Sequence, residues 1–158
     1  MLTRPLTVSG SATLQNSITD VFAVLSDPVR VAAMTPKVAL IGKVEELSTG
    51  GFRYRAASRW HGLHYRVTVV TDHFDPPRAI AFSFGEIEPG LPARLLRLRV
   101  SDRVKYTLAP ESGDSTCVTV VVTWPSLSVF TVWLFSLFRR RMMDAHFRRL
   151  QELVGERP

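Results

Sequence analysis

Cysteine is almost absent from this chain. Cys117 is the single one in 158 residues, which excludes a disulfide framework and any thiolate-clustered zinc or iron–sulfur centre within one chain. Long apolar runs are also lacking. The longest, Val129 to Phe138, is broken by Thr131 and Ser136 and is about half the ~20 residues a bilayer-spanning helix needs. No charged stretch followed by an apolar run opens the sequence, and a cytoplasmic location is the expectation. There is no phosphate-cradling glycine loop, no nucleophile-elbow serine and no paired-histidine zinc-protease motif. His61 and His64 flank a tight turn and diverge, so neither a metal site nor another cofactor is expected.

What is present is ordinary globular material with a cationic bias. Hydrophobic residues make up 46% and charged residues 22% of the chain, enough apolar content to exclude wholesale disorder. The length fits one domain, 1–158, that buries about 70% of its unfolded surface. Net charge is +6, and only three of the 20 basic residues are lysines. Such a balance favours anionic partners and says nothing about fold.

The hydrophobic period divides the chain. Leu6 to Leu14 alternates as a strand. Ser17 caps a helix carrying Ile18, Val21, Phe22 and Leu25, with Asp20 in a capping-box role. Asp27-Pro28 ends it and opens a second short helix through Met34. From Val38 the period is two. Strands are expected over Val38 to Leu47, from Phe52 to Trp60, from Leu63 onward, over a short Ile80–Phe84 segment, from Leu96 to Leu108, and over Val118 to Trp124, where Pro125 ends the last. Glu86 to Ala93 reads as a mobile loop. Ser126 to Val154 reads as one long helix with Met143, Phe147, Leu150 and Val154 on one stripe.

One sheet face is apolar along every strand, and only the final helix is long enough to cover it. The expected architecture is α+β: a curved antiparallel sheet of about seven strands wrapped around a long C-terminal helix, with two short helices after the first strand. The stretch from Ser17 to Pro28, Met34-Thr35-Pro36-Lys37-Val38, Gly50-Gly51, Phe74 to Arg78 and the closing Phe147-Arg148-Arg149-Leu150-Gln151-Glu152-Leu153 resemble the START-like, or Bet v 1-like, superfamily with its helix-grip fold. That superfamily includes polyketide cyclase/dehydrase-like and lipid-transfer proteins. Met34 stands where a tryptophan is frequent. The resemblance covers nearly the whole chain and implies binding of an apolar ligand between sheet and helix.

Candidate site residues follow from the inward face. Phe52, Tyr54, Trp60, Tyr65, Val67, Phe82, Leu98, Asp102, Tyr106 and Trp124 point from the strands, and Met142 and His146 from the helix. They would line either a pocket for a lipid, isoprenoid or polyketide-like molecule or a filled core. Asp102 falls among apolar neighbours, where a carboxylate must be paired or neutral. It is a ligand-facing acid, a general base, or a residue turned outward by a bulge. With His146 across the cavity it would form the acid/base pair of a cyclase or dehydratase-like enzyme. The Met34 region and the Glu86–Ala93 loop would gate access. Cys117 reads as a small buried hydrophobe.

A second signal is the outward face, where Arg53, Arg55, Arg59, Arg66, Arg97, Arg99, Arg103 and Lys105 gather with few acids interleaved. It suits an anionic membrane surface or a solvated sheet face. The absence of interleaved aromatics argues against specific nucleic-acid binding. Val129–Phe138, followed by Arg139-Arg140-Arg141, is apolar on every side. It reads as an interfacial anchor, a homodimer contact, or a helix start buried under neighbouring loops. The function reading is therefore a carrier or sensor of a hydrophobic small molecule. An enzyme using Asp102 and His146, and a docking protein using the arginine face, are the alternatives. A monomer and a homodimer are both compatible with the sequence.

Overall fold

The computed structural model describes residues 3–35, 38–60, 63–90 and 103–156. Among the described residues, seven antiparallel strands form one sheet: β1 (Thr3–Leu14), β2 (Val38–Glu46), β3 (Phe52–Trp60), β4 (Leu63–Asp75), β5 (Ala79–Pro89), β6 (Arg103–Pro110) and β7 (Thr116–Ser128). Their spatial order is β1-β7-β6-β5-β4-β3-β2. Helices α1 (Ile18–Leu25) and α2 (Pro28–Ala33) connect the two edge strands, and α3 (Val129–Gly155) closes the chain. The sheet is curved and α3 lies against its concave face, so the fold is α+β of the helix-grip type.

Local chemistry explains the boundaries. The Ser17 side chain accepts from the Asp20 amide at 3.2 Å and donates to the Asp20 carboxylate at 2.8 Å, satisfying an orphan donor at the start of α1. Asp27 accepts from the Val29 amide at 2.9 Å, and Pro28 fills the first position of α2, where its missing N–H costs nothing. Gly50 and Gly51 have φ of +89° and +81° in the β2–β3 turn. A Cβ on either would sit within 2.5 Å of Phe74 or Thr71 side-chain atoms.

Two sequence expectations are corrected at strand ends. β5 runs on to Pro89 instead of stopping near Phe84, so Glu86 to Pro89 is strand rather than loop. β7 continues through Pro125 to Ser128. Its register with β1 shifts between Arg4 and Leu6, opposite Pro125, so the proline falls at an irregularity where a ladder donor is not needed. As a result α3 begins at Val129, capped by the Ser128 side chain accepting from the Thr131 amide at 3.1 Å.

The second half of α3 holds the layers together. Met143, Phe147, Leu150, Leu153 and Val154 are buried against the sheet, as their spacing predicts. Gly10 of β1 lets the helix approach, since an added Cβ would lie 3.1 Å from Met143 Sδ and 3.3 Å from the Phe147 ring. Arg149 Nε donates to the Ala33 carbonyl at 3.2 Å and Arg30 to the Leu153 carbonyl at 3.4 Å. These bonds tie α2 to the end of α3. Cys117 is half-buried, not fully enclosed.

Candidate functional site

The concave face carries a chain of aromatic rings that ends in a polar pair. Alternation on β3 turns Phe52 and Tyr54 inward, and β5 and β6 contribute Phe82 and Tyr106. Ring centroids are separated by 5.6 Å for Tyr54–Phe52, 5.6 Å for Phe52–Phe82, and 6.2 Å for Phe82–Tyr106. Tyr106 then stacks on His146 of α3 at 5.7 Å, and His146 meets Phe147 edge-on at 6.1 Å. All of these except His146 are buried, and His146 is half-buried.

Tyr106 Oη lies 2.9 Å from His146 Nε2 and 3.9 Å from Met34 Sδ. The phenol has one proton to give. Donated to Nε2, it leaves Sδ as a soft contact; donated to Sδ, it requires an Nε2–H. Burial lowers the imidazole pKa to about 4 and raises that of Tyr106, with the neighbouring Tyr54 adding to the second effect. Burial also pushes Tyr54 up to about 12. The cause throughout is desolvation, which penalises whichever form is charged. Around neutral pH the whole group is uncharged.

Among the described residues, neither Tyr54 Oη nor His146 Nδ1 has a hydrogen-bond partner, and no polar side-chain atom is both sealed and unpaired. The structure thus brings Phe52, Tyr54, Phe82, Tyr106 and His146 into one group. Val67 is buried in the same core, and Met142 packs half-buried at its margin. Trp124 is separate, packed on Phe135 at 5.1 Å under the start of α3. Tyr65 is buried, with its pKa raised by burial, but is not part of the core cluster. Leu98, Asp102 and the Trp60 side chain lie outside the described residues.

Met34 is buried against Tyr106 and forms a wall of the group. The sequence offered no signal for this contact, because 72 positions separate the two residues. Two grooves flank α3, and both are open to solvent. One of about 550 Å³ is lined by Phe138, Arg141, Met142, Asp144, Ala145 and Arg148. The other, about 370 Å³, lies between Ser9–Ala12 of β1 and Arg139, Arg140 and Met143. Among the described residues no cluster of three metal-ligating side chains occurs.

The outer sheet face is less bare than its sequence suggests. Arg53 pairs with Glu86 at 3.8 Å, Arg55 with Glu88 at 3.2 Å, and Arg103 with Asp72 at 2.9 Å. The extension of β5 brings Glu86 and Glu88 beside arginines two strands away, an arrangement that strand alternation alone does not reveal. Arg97 and Arg99 lie outside the described residues. The start of α3, in contrast, is not covered among the described residues: Phe130, Trp133 and Leu137 are 67%, 58% and 60% exposed. This runs against the reading of a buried helix start. Among the described residues no helix is long and apolar enough to cross a membrane.

This architecture defines a Bet v 1-like fold. No protein-family model matches the chain, and no curated protein matches it. Solved structures do. A conserved protein from Geobacillus kaustophilus superposes with a TM-score of 0.71 at 14% identity, covering 96% of each chain. A protein from Arthrobacter aurescens gives 0.65 at 18% identity, over 96% of this chain and 87% of that one. Ara h 8.0201, a Bet v 1 relative, gives 0.62 at 16% identity, over 98% of this chain and 100% of its own. At such identities the fold is what is shared.

Proposed function

We propose that this chain binds a hydrophobic small molecule, of lipid, isoprenoid or polyketide character, between the concave face of the sheet and α3. The observation that carries the reading is the neutral Tyr106–His146 pair, 2.9 Å apart, set at the end of an aromatic row whose Tyr54 Oη and His146 Nδ1 have no partner among the described residues. Apolar walls supply affinity, and a few placed polar groups orient one end of the ligand. A fold that wraps a sheet around one helix supports this reading, as does the START-like resemblance of the sequence.

Binding is favoured over chemistry. Proton transfer works best when the acid and base have pKa values near the working pH. Here burial moves the imidazole down to about 4 and the phenol upward, away from neutrality on both sides. A cyclase or dehydratase-like reaction through Asp102 and His146 is the second reading. The bond between His146 and Tyr106 counts against it, because it commits Nε2 to the phenol.

Mass spectrometry under native and then denaturing conditions tests the proposal. A discrete ligand mass, present on the folded protein and lost on unfolding, is the expected result. Tyr106→Phe and Tyr54→Phe should each lower its occupancy. A bare protein mass that persists after incubation with a lipid extract would overturn the reading.

A further inference from the structure

The first ten residues of α3 present six large apolar side chains to solvent: Val129, Phe130, Trp133, Leu134, Leu137 and Phe138. Val132 and Phe135 of the same segment, and Met142 one turn further on, pack on the core instead. At ~100° per residue, Phe130, Trp133, Leu134 and Leu137 share the side of the helix opposite Val132 and Leu150. The exposed stripe is ~12 Å long. Further along the same outward side lie Arg141 and Arg148, Arg140 flanks it, and Arg139 turns toward the groove beside β1; all four are exposed. Among the described residues none of these four arginines has a carboxylate within 4.0 Å.

We propose that this half of α3 docks on an anionic lipid bilayer, with its aromatic and leucine side chains inserted at the headgroup boundary and Arg140, Arg141 and Arg148 on lipid phosphates and carboxylates. Charge decides the occupant. From Ser115 to Met143 the chain contains no aspartate or glutamate, and Asp144 is the one acid beside these arginines, so a second copy docked through this segment would bring two sets of arginines together with a single acid each to compensate them. An anionic bilayer supplies the missing charge, at roughly one favourable contact per arginine. It also takes up the apolar stripe that water otherwise meets. The buried second half of α3 acts as a rigid shaft holding the stripe outward. The surface is independent of any ligand between sheet and helix.

Co-sedimentation with vesicles tests this. Phosphatidylcholine vesicles are compared with vesicles carrying about 30 mol% phosphatidylserine, whose surface potential attracts basic segments. The wild type should sediment with the anionic vesicles only, and less so as salt rises. Replacing Arg140, Arg141 and Arg148 together by Gln should weaken partition roughly a hundredfold. Trp133→Ser with Leu137→Ser should weaken it at least ~10-fold. Both variants should unfold at the wild-type temperature, since the altered side chains are exposed. Absence of sedimentation, equal sedimentation with both vesicle types, or wild-type partition by either variant would overturn the proposal. So would a dimer in sedimentation velocity that Trp133→Ser with Leu137→Ser converts to monomer, since the stripe would then be a contact between copies.

Discussion

The phenol of Tyr106 and the imidazole of His146 lie 2.9 Å apart, in near-parallel rings, and join β6 to α3 across the core. Burial keeps both groups neutral around neutral pH, lowering the pKa of the imidazole and raising that of the phenol. The pair therefore both fastens the helix to the sheet and gives the concave face its polar end.

Removing that bond should be felt in stability. Tyr106→Phe leaves Nε2 short of a partner in a largely buried site, and a loss of about 1–3 kcal/mol is expected. A double-mutant cycle with His146→Leu, followed by denaturant unfolding, should return a coupling of about 1 kcal/mol. Additive effects of the two substitutions would show that the bond contributes nothing.

The imidazole also predicts a pH dependence. Its folded pKa of about 4 lies below the ordinary 6.5, so between those values the unfolded chain binds the extra proton. Stability then falls as pH drops from 6.5 toward 4 and the contribution levels off below, with a total on the order of 3 kcal/mol. The slope belongs to the difference between wild type and His146→Leu, which removes the background from the carboxylates. Parallel stability curves for the two proteins across this window would refute the assignment.

Two glycines separate strain from crowding. Gly113 has φ of +74° with nothing within 4 Å of an added Cβ, whereas Gly51 has φ of +81° and Thr71 side-chain atoms at 2.5 Å. Gly113→Ala should cost about 1 kcal/mol from backbone strain alone. Gly51→Ala should cost about 3 kcal/mol or more, since Thr71 must also move from its bonds to the Phe52 amide and carbonyl. Equal midpoint shifts in urea would contradict the crowding argument.

The two halves of α3 should respond oppositely to truncation. Leu150 is fully buried and Leu137 is 60% exposed. Leu150→Ala is expected to cost about 2–5 kcal/mol through the cavity it leaves. Leu137→Ala should stay within about 0.5 kcal/mol of wild type. A large loss at Leu137 would mean that the start of α3 is packed in solution, and thermal unfolding of both variants gives the answer.

The amino-acid pattern by itself determined the architecture. Alternation on β3, β4 and β7, the Ser17 and Asp27 caps, the Gly50-Gly51 turn and the Met143–Val154 stripe are all local, and each rests on a few neighbouring residues. Such patterns also placed Phe52, Tyr54, Phe82 and Tyr106 on the inward face and His146 on the sheet side of its helix. Tertiary structure alone decided who meets whom. His146 pairs with Tyr106, Met34 reaches the same hydroxyl from α2, and Glu86 and Glu88 reach Arg53 and Arg55 from two strands away. It also decided that the apolar start of α3 stands exposed rather than covered. Periodicity specifies a face, because side-chain direction follows from local backbone geometry. A partner depends on strand order, register and helix placement, which are fixed only when distant segments pack together.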